Sequence, residues 1–174
     1  MSDEIFDVVN ALDEVVGCAT RSEVHATGLM HRAVHVLVFN RKGEVFLQKR
    51  SMTKDKSPGL WDSSASGHVD SGEDYEACAV RELREEIGLL LAQPPQRLFK
   101  LAACEATDQE HVWVYQCTAD GPFQLNAQEI DCGEWLKPTE VTMRIDRRPQ
   151  DFASAFVVIW RTLNLSRDLC GTLS

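Results

Sequence analysis

Short apolar runs separated by turn-forming residues make up the first third of the chain, a pattern typical of β-strands joined by tight turns. The runs predict strands at residues 6–9, 14–19, 31–40, 44–50 and 61–66. The first two strands flank residues 10–13 and the next two flank residues 41–43, so each pair predicts a hairpin. Residues 54–59 are polar and include Pro58 and Gly59, which predicts a loop.

The remainder of the chain combines helical and strand patterns. A turn at residues 70–72 precedes a predicted helix at residues 74–87, and Gly88 stands where a helix C-terminus prefers glycine. Further patterns predict strands at residues 97–103, 111–117 and 133–136, a short helix from Pro138 to about residue 143, and an amphipathic last helix at residues 150–163. This order predicts an α/β fold in which helices cover both faces of a mixed β-sheet.

The helix at residues 74–87 carries an unusual acidic line. At about 100° per residue, its apolar arc consists of Val80, Leu83 and Ile87, and a roughly opposite arc consists of Glu82, Glu85 and Glu86. Three carboxylates that converge repel one another unless a cation lies among them, and such hard oxygen ligands suit Mg²⁺ or Mn²⁺. The alternative is a solvated acidic helix face that Arg81 and Arg84 balance.

Length and composition favour one domain over residues 1–174, with an N-terminal β-hairpin extension at about residues 1–25. A hydrophobic share of 44% is enough for a core. No apolar run approaches the roughly 20 residues of a membrane span, and the acidic N-terminus lacks the features of a secretory signal. We therefore expect a cytoplasmic protein without a membrane partner.

Charge and cysteine content narrow the function further. The net charge of −9 argues against a nucleic-acid polymer as the partner. It leaves a phosphorylated small molecule open, because a bound divalent cation can reverse the local charge. The six cysteines form no CxxC pair and have no histidine at zinc-site spacing, so we expect reduced and mostly buried thiols.

The stretch GHVDSGEDYEACAVRELREEIGL, residues 67–89, carries a family resemblance. It resembles the Nudix box, G-x5-E-x7-R-E-U-x-E-E-x-G-U with U aliphatic, and matches it at every specified position. The resemblance implies a Nudix-type α/β/α sandwich with a mixed β-sheet. It also implies a divalent-metal-dependent hydrolase that cleaves a diphosphate bond in a small molecule with a metal-activated water.

The same resemblance implies roles for individual residues. Glu82, Glu85 and Glu86 would bind Mg²⁺ or Mn²⁺, with most of the binding at Glu85 and Glu86. Gly67 would let the backbone approach the metal, Arg81 would hold Glu73 in place, and Gly88 would cap the helix. The general base would be one of the helix glutamates or an acidic residue in the loop before residues 134–136, where Glu129 is the candidate. Lys49 and Arg50, at a strand end, are candidates for phosphate contact.

Residues 24–69 resemble one branch of this superfamily, the isopentenyl-diphosphate isomerases and their related hydrolases. Those isomerases bind a metal through histidines, and His25, His31 and His68 stand where such ligands are expected. They also use a cysteine just before the Gly-His pair, a position that Ser66 occupies here. Because a serine hydroxyl is a poor proton donor and acceptor for an allylic step, we expect hydrolase chemistry and keep the isomerase as an alternative.

A third hypothesis is a non-catalytic Nudix module that binds a nucleotide, although intact metal glutamates argue against it. For a hydrolase, nucleoside di- or triphosphates and other nucleoside diphosphate derivatives are favoured as the commonest substrates of complete boxes, and sugar nucleotides, dinucleotides and prenyl diphosphates stay open. The aromatic residues available to stack on a base or cover a prenyl chain are Trp61, Phe99, Trp113 and Tyr115. A homodimer through exposed β-structure also stays open.

Overall fold

The computed structural model describes residues 4–171, with side chains described through residue 166. Its strands are β1 (Ile5–Val9), β2 (Val15–Thr20), β3 (His31–Phe39), β4 (Val45–Arg50), β5 (Trp61–Asp62), β6 (Ala65–His68), β7 (Gln96–Leu101), β8 (Glu110–Thr118) and β9 (Ile130–Leu136). Its helices are α1 (Arg21–Thr27), α2 (Tyr75–Ile87), α3 (Pro138–Arg147) and α4 (Ser154–Gly171), with short 3₁₀ turns at Glu105–Thr107 and Pro149–Asp151.

Seven strands form one mixed sheet. The central order is β5-β4-β3-β8-β7, while β6 pairs with β3 and β9 pairs with β4. Strands β3 and β8 run parallel through all nine residues of each, and the other pairs are antiparallel. The predicted hairpin of β1 and β2 forms a separate two-stranded sheet.

One edge of β3 is shared between two partners, and this division creates the cleft described below. Strand β4 pairs with β3 only at Val38 and Phe39, whereas β6 pairs with β3 from Ala33 to Val36. Strands β4 and β6 therefore pair with successive stretches of the same edge of β3, and we call this junction the fork.

Helices cover both faces of the sheet, as predicted. Alternation along β3 puts Val34, Val36 and Val38 on one face, where they pack with α2. Ala33 and Leu37 lie on the other face and pack with α3 and α4. The α/β/α sandwich is thus confirmed. In the described part of the chain, no helix is both long enough and apolar enough to span a membrane.

Several element boundaries differ from the predictions. Helix α1 has no counterpart among the predicted elements. Thr20 caps its start by accepting a hydrogen bond from the Glu23 amide at 3.2 Å, and Gly28 ends it at φ +67°. Helix α3 continues to Arg147. Helix α4 begins at Ser154 rather than residue 150, because the preceding residues form a 3₁₀ turn.

The prediction that the cysteines are mostly buried was wrong for the described residues. Cys78 is buried and Cys117 is half-buried, but three free cysteines are exposed: Cys18, Cys104 and Cys132. Cys18 and Cys132 lie on β2 and β9, whose outer faces meet solvent, and Cys104 lies just before a surface 3₁₀ turn. Cys170 lies outside the residues whose side chains are described.

Candidate active site

Helix α2 holds most of the acidic residues, and its two ends are defined locally. Asp74 caps the start, because its side chain accepts a hydrogen bond from the Ala77 amide at 2.8 Å. At the other end Gly88 adopts φ +67°, and the amides of Gly88 and Leu89 bond to carbonyls of the last turn. These two caps fix where the helix begins and ends, and the packing of Cys78, Ala79, Leu83 and Ile87 against the sheet sets the direction of its glutamates.

Burial on α2 differs from the two opposite arcs predicted from the helical wheel. Glu82 and Glu86 are buried beside Leu83 and Ile87, whereas Val80 is 37% exposed. The helix lies against β6 and the fork, so about half of its circumference is covered. The carboxylates thus occupy the buried half of the helix, where a charge is costly without a partner.

Glu86 sits at the fork of the sheet. Its Oε2 accepts hydrogen bonds from the Ser66 amide on β6 at 3.0 Å and from Gln48 Nε2 on β4 at 2.8 Å. Burial raises the pKa of Glu86 to about 7. Burial and the nearby Glu86 charge together raise the pKa of Glu82 to about 8. Two adjacent buried carboxylates resist ionisation unless a cation joins them.

Arg81 links the helix to the turn before it. Its Nε and Nη2 donate to the two oxygens of Glu73 at 2.9 and 2.8 Å, a bidentate pair. Nη1 donates to Glu82 Oε1 at 2.6 Å, and Nη2 also reaches the His68 carbonyl at 3.0 Å. These bonds raise the pKa of Arg81, so the guanidinium stays charged and immobile beside the carboxylates. Glu85 lies farther out, 3.4 Å from Nη1.

Gly67 permits the close approach of Glu82 to strand β6. A Cβ atom at position 67 would lie 2.0 Å from Glu82 Oε1 and 2.2 Å from its Cδ, which no side chain can occupy. The glycine therefore leaves a narrow space lined by carboxylate oxygens and backbone. An all-oxygen donor set of this kind, with raised carboxyl pKa values, fits a divalent cation such as Mg²⁺ or Mn²⁺.

A cleft of about 530 Å³ opens from these carboxylates. Glu129 lines it and forms an ion pair with Lys54. Arg50 also lines it, with Nη1 3.2 Å from Asp62 Oδ2. Lys49, the other predicted phosphate contact, does not line the cleft.

Three histidines meet beside the cleft, and one of them, His68, lines it. Ring nitrogens of His25, His31 and His68 all lie within 4.8 Å of one another. Glu110 Oε1 lies 3.1 Å from His68 Nε2 and 3.5 Å from His31 Nε2. Nε2 of His25 is buried without a hydrogen bond among the described residues, while its Nδ1 lies 3.1 Å from Asp108 Oδ2. Imidazole and carboxylate donors with an unsatisfied nitrogen fit a transition metal such as Zn²⁺ or Mn²⁺.

The N-terminal hairpin closes this histidine cluster. The Phe6 ring on β1 stacks on His68 at a centroid distance of 4.7 Å and on His31 at 5.8 Å. Phe6 is itself only 1% exposed. The hairpin therefore shields the cluster from solvent on one side.

Three polar residues of the site were not predicted from the sequence: Gln48, Glu110 and His35. Glu110 begins β8 and lies in register with His31, a contact between distant parts of the chain. His35 is 5% exposed and lines the cleft, with Nδ1 2.5 Å from Ser63 Oγ and 3.5 Å from Asp62 Oδ1. A polar residue within the apolar β3 run was the available signal for His35.

The aromatic residues expected near the substrate lie elsewhere. None of the four candidates lines the cleft. Two of them, Trp61 and Phe99, pack against the core beneath α3 and α4, and the other two, Trp113 and Tyr115, belong to the core beneath α2.

Comparison with known proteins places these features in a family. A family model for the NUDIX domain matches residues 29–156. A Nudix hydrolase of Yersinia pestis is 34% identical over 170 residues, covering 95% of this chain and 90% of the relative. An isopentenyl-diphosphate Delta-isomerase of Serratia proteamaculans is 31% identical over 164 residues, covering 92% of each chain.

A solved structure extends the similarity to three dimensions. The crystal structure of DR0079 from Deinococcus radiodurans superposes with a TM-score of 0.75 at 32% identity, covering 83% of this chain and 90% of that one. The sequence match, the similar structure and the acidic helix agree with one another. The chain therefore belongs to the Nudix family and is an enzyme of its hydrolase class.

Proposed function

We propose that the protein hydrolyses the P–O–P bond of a small-molecule diphosphate with the help of Mg²⁺ or Mn²⁺. The ligands are Glu82, Glu85 and Glu86, together with the backbone at Gly67. The observation that carries the proposal is the buried pair Glu82 and Glu86, whose pKa values are raised. The pair lies beside Gly67, where the methyl group of an alanine would overlap Glu82. When bound, the cation neutralises phosphate charge and lowers the pKa of a bound water.

The protein's own groups position the reactants. Arg81 fixes Glu82 and Glu73, so the metal-binding oxygens need little reorganisation. Glu129 is our candidate for accepting the proton of the attacking water, since it lines the cleft and forms an ion pair with Lys54. Arg50 and Lys54 are placed to contact phosphate oxygens. Nucleoside di- and triphosphates are the substrates that the sequence favours.

A panel assay tests this proposal. Nucleoside diphosphates and triphosphates, ADP-ribose and a dinucleoside polyphosphate are incubated separately with the protein and Mg²⁺, and products are followed by ³¹P NMR. We expect a new signal from phosphate or a phosphate monoester, and we expect no such signal when EDTA is added before the substrate. Glu86→Gln should lower kcat by at least about 100-fold, while Glu76→Gln, the same charge change on the same helix but outside the cleft, should not. Retained turnover in Glu86→Gln would contradict the metal site.

The histidine cluster favours one alternative function, isopentenyl-diphosphate isomerisation. His25, His31 and His68 with Glu110 form a second metal-binding arrangement that diphosphate hydrolysis does not need. Against it, Ser66 lines the cleft at the position where the isomerase resemblance requires a thiol. Conversion of the vinyl protons of isopentenyl diphosphate to the dimethylallyl pattern in ¹H NMR, without phosphate release, would establish the alternative. If the Ser66→Cys variant isomerises isopentenyl diphosphate and the wild-type protein does not, the missing thiol explains why the wild-type protein lacks isomerase activity.

A further inference from the structure

The side chains that line the cleft indicate which chemical groups of a substrate it can hold. Among the residues that the structure describes, its only apolar side chains are those of Ala33, Ala153 and Ala155; the others are charged or polar, apart from Gly67. A nucleobase or prenyl chain is ordinarily held by aromatic or branched aliphatic side chains, which supply most of the binding energy. The volume of about 530 Å³ would admit either group, so chemistry rather than size distinguishes between substrates.

His35 gives the cleft floor a directional polar contact. Alternation along β3 places His35 on the same face as Ala33 and Leu37, toward α4. Ser63 and Asp62 hold its Nδ1 side and so fix the orientation of the ring. None of the hydrogen bonds among the described residues involves Nε2, and His35 lines the cleft, so this nitrogen can bond to a ligand or water there.

The first turn of α4 lies on the same wall. The Ala153 carbonyl accepts the first helical bond, from the Val157 amide at 3.1 Å. The amides of Ser154 and Ala155 consequently have no partner within the helix. The Ser154 hydroxyl donates to the Ala106 carbonyl at 2.8 Å and does not cap these amides. Both residues line the cleft, so their N–H groups and the positive end of the helix dipole are available to an oxygen-rich group.

Two cations at the rim complete this wall. Lys56 and Arg21 line the cleft, where Lys56 pairs with Asp108 at 2.9 Å and Arg21 pairs with Asp55 at 2.9 Å. The Lys56 pair is about half exposed on both sides, so it is worth little and can exchange for a substrate oxygen at small cost. Arg21 also bonds to Glu4 at 3.1 Å and is therefore held more firmly.

From these observations we propose that His35 and the first turn of α4 form a subsite for a phosphorylated sugar or polyol. The substrate is then the diphosphate of such a group, without a nucleobase or a prenyl chain. This inference rests on the proposed hydrolysis of a diphosphate and names its substrate class. It replaces the nucleotide preference drawn from the sequence, because the aromatic residues that would support a base lie in the core.

Matched substrates test the inference. The value of kcat/KM is measured with Mg²⁺ for 5-phosphoribosyl 1-diphosphate, ADP, isopentenyl diphosphate and inorganic tripolyphosphate, each against a blank without enzyme. We expect the phosphorylated sugar to exceed ADP and isopentenyl diphosphate by at least about 10-fold, the value of one hydrogen bond to a charged group. Preference for ADP or isopentenyl diphosphate would overturn the inference and leave diphosphate hydrolysis standing.

Two substitutions of His35 separate recognition from structure. The Asn amide can replace Nδ1 toward Ser63, whereas the Gln amide reaches the position of Nε2. We expect His35→Asn to lower the ratio of kcat/KM for the phosphorylated sugar over tripolyphosphate by about 10-fold, and His35→Gln to restore part of it. An unchanged ratio in both variants would refute the role of His35.

A binding measurement tests the subsite even if the protein hydrolyses no diphosphate, so the subsite and the proposed function can fail independently. If no diphosphate is hydrolysed, the proposed function fails. Calorimetric titration of ribose 5-phosphate then decides the subsite on its own. Binding that weakens in His35→Asn supports it, and absence of binding to the wild-type protein overturns it.

Discussion

Glu86 carries a charge that the metal-free protein cannot easily accommodate. It is 4% exposed, and burial raises its pKa from 4.5 to about 7. One pKa unit corresponds to about 1.4 kcal/mol, so ionised Glu86 costs the metal-free fold about 3 kcal/mol. Because the folded state holds the proton more tightly than the unfolded state, this cost is absent below pH 4.5 and complete above about pH 7. The metal-free wild-type protein should therefore lose stability between pH 5 and pH 8.

Substitution Glu86→Gln removes the charge and keeps the shape. The new amide oxygen can still accept the hydrogen bond from the Ser66 amide. Gln48 Nε2 donates to the same oxygen of Glu86 as the Ser66 amide, so this one amide oxygen can accept both bonds without any change at Gln48. We expect the variant to be about 2–3 kcal/mol more stable than wild type at pH 8 in EDTA, and nearly equal to it at pH 5.

Urea unfolding measures this difference through the fluorescence of the four tryptophans. Wild type, Glu86→Gln and the control Glu76→Gln are unfolded at pH 5 and pH 8, with EDTA and with saturating Mg²⁺. Mg²⁺ should stabilise wild type more than Glu86→Gln, since the variant has lost a ligand. A variant that is less stable than wild type at pH 8 in EDTA would refute the reasoning, and so would a difference between the two proteins that does not change with pH.

Three further substitutions test separate contacts. Gly67→Ala places a methyl group 2.0 Å from Glu82 Oε1, so the affinity for Mn²⁺ should fall at least about 10-fold. Titration followed by electron paramagnetic resonance measures this affinity, and equal affinity in the variant and the wild type would contradict the close approach. Gly133→Ala places a methyl group 2.0 Å from Phe46 Cζ and should cost about 1–3 kcal/mol in urea unfolding, so an unchanged midpoint would show that the ring moves freely. Arg81→Lys loses the bidentate pair and should lower kcat more than it raises KM, a split that steady-state kinetics would detect.

Local patterns were sufficient for much of the fold. Runs rich in valine and phenylalanine on either side of a glycine-containing turn predicted β3 and β4, and a 3.6-residue period that ends at Gly88 predicted α2, because these signals depend only on neighbours in the chain. Helix α1 was missed, since it has only seven residues and a pattern of that length carries little periodicity.

The sequence by itself determined the acidic helix, the glycine at its C-terminal end and the family to which the chain belongs, because all of these depend on residues close together in the chain. Tertiary structure alone decided which glutamates are buried, since Glu82 and Glu86 lie against a fork made by three strands. Tertiary structure also placed Glu110 beside the histidine cluster and His35 in the cleft. The aromatic residues expected near the substrate pack in the core instead. These outcomes depend on strand register and on how the layers pack, and no local pattern records either.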